Sequence, residues 1–375
     1  MSSDAAMGLP DVMRSRPWEK SAAAHVSDDT SLAWVKDERI FLMLALAMQW
    51  ASECNAQGPN PRVGCLLLTK DGLVAGGGVH RGAGHHHAEV EALKDAVRNG
   101  RSVAGGTAIV TLEPCAHTGR TGPCTQALID AGIDRVAFAI SDPSPQGGGG
   151  AEALREAGIE VAADIDPKAG RELNRAWFHS ITSGRPYVTL KTATTLDGRI
   201  AAADGTSQWI TSPEARAHAH EIRANVDAIL VGTGTALADD PALTARLQDG
   251  RLAEHQPLRV VMGLRELPAE ARLRGEGGEL VIVRSRDPGE VLEVLAQREV
   301  RHVLIEGGAS VATAFVRAGL VDEVHAYVEP MVLGAGRSVV EDVGVATLAK
   351  APRWGTHEVK ALGSTAFVAA RLKEG

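Results

Sequence analysis

The stretch TLEPCAHTGRTGPC, residues 111–124, holds two of the chain's four cysteines, Cys115 and Cys124, with eight residues between them. Two thiols need a further donor to hold a metal, and HAE at 87–89 supplies an imidazole, His87. One imidazole and two thiolates leave a fourth position open for water, the ligand set of a catalytic rather than a closed structural zinc. Glu89 follows His87 by two. Such residues do not face each other in mid-helix. At a helix N-terminus both reach a metal off the helix end, where the positive end of the dipole favours thiolate and hydroxide.

His-x-Glu with a downstream Pro-Cys is the signature of zinc-dependent hydrolytic deamination, in which the carboxylate moves protons without ligating. Here the second cysteine follows after eight residues rather than two. Cys115 and Cys124 as an inert pair, or as a structural zinc site completed by a neighbouring histidine, is the competing reading. The joint presence of HAE, EPC and a later PC favours the catalytic one. His85 and His86 are out of register with Glu89 and read as turn residues or as support behind the metal ligands. Cys54 and Cys65 read as small buried hydrophobes.

The elements that must carry these residues alternate. A helix is expected over about 37–53, a buried strand at VGCLLL, and a Gly-rich turn at AGGGVHRGAGHH. A helix follows at HAEVEALKDAVRNG, then a strand at 107–113, a helix at TQALIDAGI, and a strand at 135–140. AEALREAGIEVAA repeats helix and strand, and 171–186 reads as a helix closing the unit. Such alternation implies an α/β fold with a mostly parallel, helix-covered sheet. QGGGG at 146–150 reads as a flexible connector. A second α/β unit restarts at YVTLK (187–191). It continues through strands AILVG (228–232), LRVVMG (258–263), ELVIVR (279–284) and HVLIEGG (302–308), the helix SVATAFVRAG and the strand EVHAYVEP. The expected organisation is a disordered or loosely attached tail over 1–35, a first domain over 36–183 and a second over 184–375.

The chain has 375 residues, 44% hydrophobic and 23% charged, which suits two globular domains. A net charge of −8 and 3% aromatics argue against nucleic acid as a partner. Four cysteines are no disulfide framework. The apolar run IFLMLALAM (40–48) is too short to span a bilayer, and the first 35 residues lack the apolar core of a secretory signal. A cytoplasmic protein without a membrane partner is expected.

NPRVGC (60–65), HAEVEAL (87–93), TLEPCAHTGRTGPC and DPSP (142–145) resemble the deaminase half of the bifunctional deaminase–reductases of riboflavin biosynthesis. LKTATTLDGRIA, SQWITSPEAR, ADDPALTAR and IEGGAS resemble the reductase half. The resemblance spans about residues 37–375. It implies a cytidine-deaminase-like three-layer α/β/α domain followed by a dihydrofolate-reductase-like α/β domain. The implied reactions are deamination of 2,5-diamino-6-(5-phosphoribosylamino)pyrimidin-4-one, then NADPH-dependent reduction of the ribosyl group to ribityl. A deaminase whose second half no longer reduces is the alternative. By match, His87, Cys115 and Cys124 would hold Zn2+ and Glu89 would shuttle protons, while Asn60, His80, His117 and Arg120 would touch substrate. Ala193, Trp209, Thr235, Asp239 and the run Gly307, Gly308, Ala309, Ser310 would contact NADPH. Ser207, Arg223, Leu243, Arg246 and Glu306 would contact the reductase substrate, with Arg223 and Arg246 as phosphate clamps. Lys191 and Asp239 are the candidates for polarising or protonating the sugar. The only protein partner the resemblance suggests is a second copy of the chain. The sequence departs from the family pattern after DPSPQ, where four glycines stand.

Overall fold

The computed structural model describes residues 30–54, 58–117, 122–145 and 147–373. These divide into two compact units, one of 30–54 and 62–173, the other of 58–61 and 174–373.

The first unit opens with a 3-10 helix over Thr30–Lys36, whose Val35 enters the core. The end of the stretch expected as a tail is therefore ordered. Residues 1–29 lie outside the described residues. Helix α1 (Glu38–Glu53) starts where Asp37 accepts the Arg39 N–H as its cap, worth about 1 kcal/mol. It buries Ile40, Leu44, Ala47 and Ala51, the stripe that the sequence spacing dictates. There follow β1 (Gly64–Leu68), β2 (Val74–Val79), α2 (Ala88–Arg98), β3 (Thr107–Val110), α3 (Cys124–Asp130), β4 (Arg135–Phe138), α4 (Gly150–Glu156), β5 (Glu160–Ala162) and α5 (Pro167–Leu173). The strands order β2-β1-β3-β4-β5. Strands β3, β4 and β5 are parallel, and β1 is antiparallel to both its neighbours.

Strand β2 corrects the sequence reading, which placed a turn across its glycines. Side chains at Gly76 and Gly78 would overlap the backbone of α2 at Ala92, Ala96 and Ala88, and one at Gly77 would overlap the Trp50 ring. The glycines are where two helices press onto a strand. QGGGG is likewise no free connector among its described residues. Gly147 N–H donates to Ser144 Oγ at 3.0 Å, and Gly150 opens α4 so close to the Pro114 carbonyl that no Cβ would fit.

The helix expected over 171–186 breaks at Asn174. Its second part, α6 (Arg175–Ser183), belongs with the second unit. That unit continues with β6 (Tyr187–Thr195), β7 (Arg199–Ala201), α7 (Pro213–Arg223), β8 (Ala228–Gly232), α8 (Thr233–Asp239), β9 (Leu258–Met262), β10 (Leu280–Val283), α9 (Pro288–Gln297), β11 (His302–Gly307) and α10 (Ala309–Arg317). Strands β12 (Glu323–Glu329), β13 (Arg337–Ser338), β14 (Trp354–Leu362) and β15 (Thr365–Leu372) complete it. Its main sheet orders β10-β9-β8-β11-β6-β12-β15-β14. The first six are parallel, and β15 pairs antiparallel with both β12 and β14. Residues 228–232 are buried throughout, as a central parallel strand requires. Among the described residues, no helix is long and apolar enough to cross a membrane.

Candidate active sites

In the first unit, His87 is the residue before α2, Cys124 the first residue of α3, and Cys115 lies in the loop after β3. His87 Nδ1 is 3.2 Å from Cys124 Sγ and 3.5 Å from Cys115 Sγ. All three donor atoms lie within 4.8 Å of one another. A nitrogen and two sulfurs converging from three separate segments is a donor set that suits zinc and leaves a coordination position over. The hydrogen bond from Cys124, joined by His87, lowers Cys115 to about 4 against the effect of burial, and the same bond pushes Cys124 far up. A thiol lowered in this way is available as a thiolate donor to a metal.

Glu89 lies in the first turn of α2 and is almost wholly buried. Burial raises its pKa above that of an exposed carboxyl. His80 is buried too, its Nδ1 3.1 Å from the His86 carbonyl and its ring edge-on to His87 at 5.3 Å. With Nδ1–H donating to that carbonyl, Nε2 is left as the acceptor. His85 and His86 are exposed, as is His117, and Asn60 is half-buried. Arg120 lies outside the described residues.

Glu113 was not singled out in the sequence. Its two carboxylate oxygens accept the Ala151 N–H at 2.9 Å and the Asp142 N–H at 3.1 Å. It thereby ties the Cys115 loop to the start of α4 and to DPSP. The Glu of E-P-C was the available signal, read only as part of a motif.

In the second unit the carboxyl ends of β6, β8 and β11 hold most of the remaining candidates. In parallel α/β sheets ligands bind at this end. Lys191 on β6 places Nζ 3.8 Å from Glu306 at the end of β11. Arg223, at the end of α7, grips Glu306 through Nε at 2.5 Å and Nη2 at 2.7 Å, and its Nη1 donates to the Thr244 carbonyl at 3.0 Å. Three of its five N–H donors are thus engaged within the protein, and they fix the Glu306 carboxylate. Burial opposes the Glu306 charge, but Arg223 and Lys191 outweigh it and hold the carboxyl at about 2. Burial also lowers Lys191, against the pull of Glu306.

Thr235 on α8 packs against Gly307 and Gly308, and Gly308 (φ 74°) sits just before α10. A Cβ at Gly308 would crowd the Thr235 hydroxyl. The bare backbone and the first-turn N–H groups of Ala309 and Ser310 form a cradle suited to a phosphate, which fits a nucleotide cofactor. Ala193 and Ser207 are half-buried. Trp209 is not core: it is 69% exposed and stacks under the Arg216 guanidinium at 4.6 Å. Leu243 is buried with φ 50°. Arg246 is exposed, bonded to Thr244 Oγ1 and the Gly250 carbonyl. Asp239 is exposed at the end of α8, in the field of Arg337. The structure thus groups Lys191, Glu306 and Arg223, and separately Thr235 with Gly307 and Gly308.

Two family models match the chain: the cytidine and deoxycytidylate deaminase zinc-binding region over 36–140 and the RibD C-terminal domain over 186–368. The riboflavin biosynthesis protein RibD of Mycobacterium tuberculosis is 47% identical over 307 residues, covering 81% of this chain and 89% of its own. The chain belongs to the RibD family. The RibD of Escherichia coli K12 is 38% identical over 340 residues, 81% of this chain and 91% of its own. The crystal structure of a Thermotoga maritima diaminohydroxyphosphoribosylaminopyrimidine deaminase/5-amino-6-(5-phosphoribosylamino)uracil reductase superposes with a TM-score of 0.82 at 32% identity. It covers 90% of this chain and 99% of that one. A RibD structure from Acinetobacter baumannii gives 0.81 at 34%, with the same coverage. The first unit is therefore a cytidine-deaminase-like domain and the second a RibD C-terminal, dihydrofolate-reductase-like domain. The chain is an enzyme with a deaminase half and a reductase half, and a deaminase with an idle second half is not favoured.

Proposed function

We propose that the first half hydrolyses the amino group of 2,5-diamino-6-(5-phosphoribosylamino)pyrimidin-4-one to give 5-amino-6-(5-phosphoribosylamino)uracil, and that the second reduces the ribosyl group of that product to ribityl with NADPH. The observation that carries the reading is the convergence of His87 Nδ1, Cys115 Sγ and Cys124 Sγ within 4.8 Å, with Glu89 buried at the same helix start. Zinc held there would supply an activated water for attack on the ring carbon. Glu89 would take that water's proton and pass it to the departing amine. His80, Asn60, His117 and Arg120 would contact the substrate.

In the second half NADPH would supply the hydride. The Gly307–Ser310 backbone, Thr235, Ala193, Trp209 and Asp239 would hold it. Lys191 would give a proton to the sugar oxygen as the ring opens, with Glu306 keeping the ammonium in place. Arg246, which is exposed, would take the substrate phosphate, with Ser207 and Leu243 along the sugar. A cytoplasmic setting and assembly into homo-oligomers fit this reading.

The test is NADPH oxidation by purified protein given only the diaminopyrimidinone phosphate, beside Glu89→Gln. Consumption by the wild type alone supports deamination followed by reduction. Ammonia release with NADPH untouched would remove the reductase half of the proposal.

A further inference from the structure

Lys191 has a third neighbour besides Glu306 and Arg223. Its Nζ stands 5.6 Å from the centroid of the Tyr327 ring, within the range at which an aromatic face attracts an ammonium. Tyr327 on β12 is fully buried, so its ring presents one fixed face. Its hydroxyl lies 2.7 Å from His218 Nδ1 on α7. Burial keeps His218 neutral over a wider range, and the phenol can then donate to the bare Nδ1. Phe367 packs on both, with ring centroids 4.9 Å from Tyr327 and 4.8 Å from His218. The ring beneath Lys191 is thus locked on its edge by stacking and at its tip by a hydrogen bond.

We propose that Tyr327 is a positioning residue of the reductase: its ring face, held by His218 and Phe367, fixes the Lys191 ammonium beside Glu306 and favours its charged form. The inference rests on the reductase reading and adds to it a residue that touches neither substrate nor cofactor. The need for such a support is physical. Lys191 is deeply set, and burial works against its charge. Its attractive partner Glu306 is 3.8 Å away and is shared with Arg223, which repels Lys191. His325, its register partner on β12, brings no compensating negative charge. A π face adds attraction without adding a formal charge, since burial pushes the Tyr327 phenol up and keeps it neutral, and a ring has few torsions to lose.

The experiment uses the full chain, NADPH and preformed 5-amino-6-(5-phosphoribosylamino)uracil, with deamination assayed in parallel. Tyr327→Phe keeps the face and should hold reductase kcat within about threefold of wild type. Tyr327→Leu removes the face. It should lower kcat about tenfold, or about 1.4 kcal/mol, with little change in substrate KM. The alkaline limb of its kcat–pH profile should move to lower pH, because a less stabilised ammonium deprotonates sooner. Deamination should be unchanged. Should the Leu variant not fold, Tyr327→Met fills the space without a π system and carries the same expectation. A Leu or Met variant with wild-type kcat and pH profile overturns the inference, and so does a Phe variant as impaired as Leu. A wild-type protein inactive in this assay would instead strike the reductase reading itself.

Discussion

Arg223 and Glu306 form a two-pronged ion pair at 2.5 and 2.7 Å, joining the end of α7 to the end of β11. Both are largely buried. Removing one member strands the other's charge, which costs about 3–5 kcal/mol. Glu306→Gln should therefore lower the melting temperature of the second half as well as reductase activity. Calorimetry on the full chain would check this, and an unchanged melting profile would count against the pair as an organising element.

Glu89→Gln retains the shape of the carboxyl and discards its proton transfer. Deamination should fall by about 10²–10⁴-fold, while zinc content and reduction of the preformed uracil phosphate stay normal. Loss of zinc along with activity would make Glu89 a ligand instead of a shuttle.

Cys124→Ala leaves His87 and Cys115 as donors, too few for a firm zinc site. Elemental analysis should find only a small fraction of the wild-type zinc, with deamination lost and the reductase half intact. Full zinc retention in the variant would require a different third ligand.

Glu323 is one of two buried carboxylates, with Glu306, that should make the second half acid-sensitive. Its carboxylate meets Tyr187 OH at 3.3 Å, His357 at 3.1 Å, Arg371 at 3.3 Å, His325 at 3.6 Å and Arg175 at 3.8 Å. Burial would raise its pKa from the ordinary 4.5, but the hydrogen bond and charge of His325 and the charges of Arg175 and Arg371 bring it to about 2. A carboxylate depressed in the fold stabilises above its unfolded value and loses that contribution as pH falls through the folded one. The contribution is about 3 kcal/mol at neutral pH and declines between about pH 4.5 and 2. Glu323→Gln should be less stable than wild type at pH 7, by denaturant titration, and the gap should narrow by pH 3. A gap independent of pH would assign the effect to packing.

What the sequence made legible was local. His87, Cys115 and Cys124, whose donor atoms converge, sit in short motifs whose residue types suggest their chemistry. AILVG at 228–232 is buried from end to end, so its composition alone marks a strand. What was illegible depended on distance or on missing side chains. Arg223 and Glu306 are 83 residues apart, and no local pattern announces that they meet. Strands β14 and β15 carry many exposed or half-exposed residues, so they lack the apolar runs that marked the other strands. Helix α7 had a signal that went unread: Ser212 caps it by accepting the Ala215 N–H, with Pro213 behind. The break at Asn174 interrupts a helical pattern that continues on both sides.

The three glycines of β2 differ in what could ever repair them. At Gly77 the obstruction is the Trp50 ring, and a second-site change that trims that ring would make room for an alanine. At Gly76 and Gly78 the obstruction includes main-chain atoms of α2, which every amino acid possesses. Selection for suppressors of damage in this strand should therefore return partners for position 77 and only direct revertants at 76 and 78.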